Sequence, residues 1–297
     1  MSLPFSFTVV QAPLILTSTC SNIKENTVSV WVIDLKLIWV CKVNISIDDI
    51  LPTLNSKSFL DLILNVFSGL ASPLHSSEPI LSRFLNQKVA KGHSQNLDYA
   101  KSLLKKSGFY YKNDQLFDKY GNKVELELLT NAGNTQREAA GVSIKQDLEK
   151  LGIKINFKPI EFNSLVNKIT NEVNFDCIIL ALTSNILEPN SGYNVWTPNG
   201  ALHIFNKRTP NDLKSSDKVL DFEIELEEIF KKGALELDFN KRKKYYDRYQ
   251  EIIAQQNPLV YLYAPLTIYA IRQKIKNIYP SVIGGIISDK SLIYIED

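Results

Sequence analysis

A mixed α/β fold, a sheet flanked by helices, is predicted for this 297-residue chain, and three observations predict it. Strand-like and helix-like patterns alternate as β-α-β-α-β between residues 124 and 182. The run Phe175 to Leu182 is nearly continuous apolar sequence, with the length and Ile content of a strand buried on both faces. Two helical patterns follow, and a second apolar run, Leu259 to Ala270, closes the unit.

Taken in order, residues 4–44 are rich in β-branched and aromatic side chains, and Thr27 to Val32 alternates as a strand does. Leu60, Ile63, Leu64 and Phe67 give the segment Asp48 to Leu70 a helical stripe, with Gly69 near its end. Residues 71–95 read as an extended loop punctuated by Ser, Pro, His and Gly. Asn96 is placed to cap a helix whose inner face is Leu97, Ala100, Leu103 and Leu104, and Gly108 suits its end. Leu116 to Leu129 reads as a hairpin turning at Lys119 to Asn122. In its second arm Val124, Leu126 and Leu128 alternate with Glu125 and Glu127.

Thr135-Gln136-Arg137-Glu138 fits a capping box, in which the hydroxyl accepts one free helix amide and the Glu reaches back to another. Ala140, Ile144, Leu148 and Leu151 form the inner face of that helix, and Gly152 ends it. Ile153, Ile155 and Phe157 make the next strand, stopped at Pro159. The β-α-β spacing calls for a parallel pair with a right-handed crossover. A helix over Asn163 to Val173 leads to the buried run. Helices over 217–233 and 239–256 come last, the second capped by Asp238 or Asn240, with Tyr245, Tyr249, Ile252 and Ile253 inward. Asn257-Pro258 breaks it.

The charge balance, 34 basic against 32 acidic residues, gives no electrostatic case for nucleic acid. The basic run Lys241 to Lys244 reads as a solvated helix face. Cys20, Cys41 and Cys177 are scattered, with no CxxC pair for zinc or redox chemistry. Cys177 reads as a buried thiol, and a Cys20–Cys41 disulfide would require an oxidising compartment. Asn44-Ile45-Ser46 fits a glycosylation sequon, a triplet short enough to arise by chance. Val28 to Val43 contains Asp34, Lys36 and Lys42, too short and too charged to span a membrane. Met1-Ser2-Leu3 lacks the basic start of a signal peptide, so any export signal is expected to lie outside this sequence.

His75, His93 and His203 share no metal-ligand spacing, and no nucleophile elbow or phosphate loop is present, so no cofactor or metal is expected. The informative segment is the loop after the buried strand, Thr183 to Asp212, because open α/β sheets place ligands at the C-terminal ends of their strands. Thr183, Ser184, Asn185, Glu188, Asn194 and Trp196 offer hydroxyls, amides, one carboxylate and one indole. That mixture suits a solute with peptide-like polar edges and an apolar body. The competing interpretation is an Ω-loop packed on itself, with Trp196 as its plug.

Several phrases carry a family resemblance: Asn96-Leu97-Asp98-Tyr99-Ala100-Lys101 leading to Ser107-Gly108-Phe109, and Asn240 to Tyr246 leading to Asn257-Pro258-Leu259-Val260-Tyr261. Glu188-Pro189, Asn194-Val195-Trp196, Asn199-Gly200 and Leu202-His203-x-Phe205-Asn206 add to it, with the spacing of a cyanobacterial-looking branch. Over roughly residues 62–297 the chain resembles the extracytoplasmic solute-binding proteins of oligopeptide, dipeptide and nickel ABC importers. The resemblance implies the second lobe of a bilobed body, over residues 45–272, with 273–297 returning toward a first lobe and 1–44 unassigned. It implies a non-enzymatic protein outside the inner membrane that captures a small peptide or peptide-like solute and delivers it to an ABC permease. Oligopeptide binders often hold the peptide α-amine with an Asp at the position of Asn185; a neutral amide cannot pair that charge, which makes Glu188 the alternative anchor. Two rivals stand beside this reading: a hydrolase or transferase using Glu188 and His203, and a structural interaction module.

Overall fold

The computed structural model describes residues 69–90, 96–183, 185–207, 219–265, 271–272, 274–279 and 289–296 in full, and the backbone of strands 6–11, 14–16, 27–31, 35–41 and 267–268. Residues 48–68 of the expected helix, the sequon at Asn44, and Cys20 and its disulfide lie outside the described residues. The chain forms two compact units, Met1–Leu35 with Ala264–Asp297, and Lys36–Tyr263. In the smaller unit Ser6–Gln11 pairs antiparallel with Leu14–Leu16 and parallel with Thr27–Trp31, which in turn meets Thr267–Ile268 antiparallel.

The larger unit is built on a five-stranded mixed sheet. Its elements are β1 (Leu35–Cys41), α1 (Leu97–Lys106), β2 (Tyr110–Lys112), β3 (Gln115–Phe117), β4 (Glu125–Asn131) and α2 (Thr135–Glu149). They continue with β5 (Lys154–Ile160), α3 (Phe162–Asn167), β6 (Cys177–Thr183), α4 (Tyr193–Trp196), α5 (Asp221–Leu235), α6 (Phe239–Gln256) and β7 (Val260–Tyr261). The strand order is β7-β1-β6-β4-β5. β4 runs parallel to β5 over its whole length, from Glu125 opposite Lys154 to Asn131 opposite Ile160, and parallel to β6 at Leu128 and Leu129. The parallel β-α-β unit expected from spacing is therefore present. β1, from the segment the sequence left unassigned, joins this sheet between β6 and β7 and pairs antiparallel with β7.

The apolar run is buried on both faces because the sheet carries a layer on each side. Cys177 and Ile179 face one cluster with Leu104, Leu116, Ile144, Leu148 and Ile153. Ile178 and Leu180 face the other, with Leu165, Trp196, Phe230, Tyr246, Tyr249 and Ile252. Cys177 is a fully buried thiol outside any disulfide, as its place in the apolar run suggested. Alternation along a strand thus feeds two cores at once, and removing either layer would expose half of β6.

Local details depart from expectation at four places. The hairpin proper is β2–β3, turning at Asn113 and Asp114, which both take positive φ. Between Leu116 and Leu129 the chain reverses around Asp118, whose carboxylate accepts from the Tyr120 and Asn122 amides, but the pairing there is the single bridge Phe117–Lys123. The cap of α2 is Asn134, not Thr135: Asn134 Oδ1 accepts from Arg137 N at 3.0 Å, and Glu138 reaches back to Gly133 N at 2.8 Å. An Asx cap does the same work one residue earlier. Pro159 does not stop β5, because β5 is an edge strand and a proline there costs no ladder bond. On α6 it is Tyr246, not Tyr245, that is fully buried beside Tyr249.

Candidate functional site

The loop that leaves β6 folds tightly on local bonds. Asn185 Oδ1 accepts from Leu187 N at 2.9 Å, and Glu188 Oε1 accepts from Asn190 N at 3.0 Å. That carboxylate caps a short 3-10 turn, Pro189–Gly192, which runs into α4. Gly200 then passes so close to Asn194 that a Cβ would lie 2.0 Å from the Asn194 carbonyl oxygen, so only glycine fits. Leu202 N donates to that same carbonyl at 3.1 Å.

The six residues singled out from sequence separate into two groups. Thr183, Asn185 and Asn194 are exposed, and Ser184 lies outside the described residues. Glu188 is half-buried and engaged: Arg242 Nη2 on α6 reaches its two oxygens at 2.7 and 2.6 Å. Arg242 also donates to Gly233 O at 2.9 Å and lies over the Tyr246 ring at 5.5 Å. The Tyr246 hydroxyl is pushed up to about 12, first by burial and further by Glu188, against the opposing pull of Arg242. The charge of Glu188 is thus compensated within the fold, an arrangement the sequence hid because 54 residues separate the partners.

Trp196 is only 5% exposed. Its ring sits 5.9 Å from those of both Tyr249 and Phe205. It forms the inner wall of a small pocket of about 40 Å³, where Thr183 at the mouth meets Ser77, Glu78 and Tyr261. Ser77 and Glu78 went unnoticed in sequence because they belong to a loop more than 100 residues upstream, with no periodicity to mark it. A larger hollow of about 490 Å³, lined by Phe109, Tyr120 and Leu126, lies at the other, N-terminal end of β4. We attach the site to the smaller pocket, because it adjoins the C-terminal end of β6 where this sheet type places ligands.

A second buried pair fixes the far end of the loop. His203 is 1% exposed; its Nδ1 lies 2.9 Å from Val195 O and its Nε2 3.2 Å from Glu223 Oε1. Glu223, fully buried, also accepts from Asn206 Nδ2 at 2.8 Å and from Leu220 N at 3.1 Å. Glu188 and His203 thus serve different partners, Arg242 and Glu223, and both His203 nitrogens are occupied inside the core. Among the described residues no group of His, Cys, Asp or Glu is arranged to hold a metal ion.

Comparison with known proteins then bears on the whole arrangement. Residues 60–202 match the family described as bacterial extracellular solute-binding proteins, family 5 Middle. A probable ABC transporter-binding protein of Deinococcus radiodurans is 30% identical over 240 residues, which is 76% of this chain and 39% of that protein. The oligopeptide-binding protein AppA of Bacillus subtilis is 27% identical over 167 residues, 56% of this chain and 28% of AppA. Among solved structures, Bacillus subtilis AppA in complex with a nonapeptide superposes with a TM-score of 0.71 at 17% identity, over 93% of this chain and 53% of that one. NikA from Brucella suis in complex with Fe(III)-EDTA gives 0.72 at 13% identity, over 91% and 53%. At these identities the superpositions establish a shared fold alone. The chain spans about half the length of those structures and less of the curated relatives.

Proposed function

We propose that this chain is one lobe of the solute-binding component of an ABC importer, and that its natural solute is a small peptide or a peptide-like molecule. The observation that carries the reading is the conjunction of the family 5 match with a polar loop and pocket at the C-terminal end of β6. The sheet supplies a rigid platform, and the loop adds exposed amide and hydroxyl groups at Thr183, Asn185 and Asn194. The peptide assignment draws on the curated oligopeptide-binding relative and on the nonapeptide held by AppA. In this reading residues 45–272 form the second lobe, 273–297 return toward the first, and capture needs both. Delivery is to a membrane permease from the extracytoplasmic side. Among the described residues no helix is long and apolar enough to cross a membrane, so the lobe would meet the permease as a peripheral partner.

Within the loop we assign different duties to the six residues. Thr183, Asn185, Asn194 and the adjacent Ser184 would touch the solute. Trp196 would bound the pocket from within, and Glu188 would set the loop's shape through Arg242. Mass spectrometry of small molecules released on denaturing a chain that carries both lobes tests the transport reading. Stoichiometric short peptides or related amides are expected. A released nucleotide, sugar or lipid, or no bound molecule at any stage of purification, would refute it.

A further inference from the structure

We propose that Gln250 on α6 is a positioning residue for the small pocket at the C-terminal end of β6, holding the upstream loop, residues 74–86, in the shape that forms one pocket wall. That loop consists of turns and bends. It is nonetheless buried at Ser76, Ser77, Glu78, Ser82, Phe84 and Asn86. A helix or strand satisfies its own backbone polar groups, whereas a buried irregular segment must find partners on its neighbours.

Gln250, 1% exposed, supplies them. Its Nε2 donates to Phe84 O and to Tyr246 O, both at 2.8 Å. Its Oε1 accepts from Asn86 N at 2.8 Å and from the Ser76 hydroxyl at 3.4 Å. A side-chain amide has two N–H donors and two acceptor positions, so all four are engaged. Its orientation follows from the backbone partners: the carbonyls of Phe84 and Tyr246 face the nitrogen, and the Asn86 N–H faces the oxygen.

Both sides of the amide lead to the pocket. On the oxygen side, Ser76 Oγ accepts from Glu78 N at 3.2 Å. On the nitrogen side, Phe84 N donates to Ser82 Oγ at 3.2 Å, and the Ser82 hydroxyl donates to Glu78 Oε2 at 3.2 Å. Tyr249, the residue before Gln250, lines the pocket directly, and its hydroxyl donates to Glu78 Oε1 at 3.0 Å. Ser77 and Glu78, the loop residues that line the pocket, are thus placed by a side chain that is not among the lining residues. The inference deepens the transport reading and rests on it only for the effect on solute.

The test is amide hydrogen exchange of this chain followed by NMR, in the parent and in Gln250→Met, which keeps the side chain's length and removes all four bonds. The amides of Ser77, Glu78, Phe84 and Asn86 are expected to exchange at least about tenfold faster. Those of α2, which packs on the opposite face of the sheet, should keep the parent's rates. Equal acceleration in the loop and α2, or an unchanged loop, would overturn the proposal. Ser76→Ala leaves α6 untouched and decides the question should Gln250→Met fail to fold. It should accelerate Ser77 and Glu78 while Phe84 and Asn86, still held by Gln250, keep the parent's rates; any other pattern counts against Gln250. In a chain that carries both lobes, Gln250→Met should weaken solute binding about tenfold at unchanged stoichiometry. Equal binding with a loosened loop would overturn the positioning role. If the parent two-lobe chain binds no solute, the transport reading fails, and the exchange rates still judge Gln250.

Discussion

Glu223→Ala is expected to destabilise the larger unit by about 3–5 kcal/mol. The carboxylate is fully buried and serves three groups at once: His203 Nε2, Asn206 Nδ2 and the Leu220 amide. Removing it takes an acceptor from Asn206 Nδ2 and from the Leu220 amide and leaves His203 Nε2 without its partner, in a buried place, and uncaps the start of α5. Glu223→Gln keeps the shape and one acceptor oxygen, and should recover part of the loss. Urea unfolding followed by circular dichroism at 222 nm measures both. A loss under about 1 kcal/mol for Glu223→Ala would mean that the pair is incidental to the fold.

Trp196→Ala is expected to cost about 3–5 kcal/mol, the range for truncating a buried aromatic residue. The indole packs between Tyr249 and Phe205, and Gly192 leaves room for it: a Cβ there would stand 3.1 Å from the ring. The cavity left behind adjoins the pocket, so solute contacts should suffer as well. Trp196→Phe separates the effects. It should keep most of the stability while altering the pocket wall, so weakened solute binding at a near-native melting temperature would credit the wall itself. The same urea transitions decide the stability question, and a Trp196→Ala variant as stable as the parent would contradict the observed burial.

The fold was legible where periodicity and burial coincide. The length and Ile content of Phe175 to Leu182 favoured a two-sided strand, observed as Cys177–Thr183, and the spacing of Ala140, Ile144 and Leu148 favoured one helix face, observed buried on α2. Less was legible where the deciding partner is remote or a neighbour can substitute. Asn134 displaced Thr135 as a cap because either side chain can accept the same amide. Tyr245 and Tyr246 stand about 100° apart around α6; Tyr246 faces the centre of the core, and Tyr245 packs partly buried at its edge, so the inner face is wider than the spacing singled out. The candidate site was assigned to the loop after β6 for its place at a strand's C-terminal end. Its wiring was not legible. Arg242 lies 54 residues from Glu188, and Glu78 lies 171 residues from Tyr249, so neither pairing leaves a local pattern.

Isothermal titration calorimetry of the 297-residue chain with a pool of short peptides tests the one-lobe account most directly. A solute site buries about 70–90% of its ligand, and a single lobe with a pocket of about 40 Å³ leaves most of a peptide in water. Heats no larger than those of dilution are therefore predicted for this chain, with clear one-to-one binding once a first lobe is supplied on the same chain. One-to-one binding by the present chain with a Kd of about 1 μM or tighter, near −8 kcal/mol, would show that it needs no second lobe and would contradict the account.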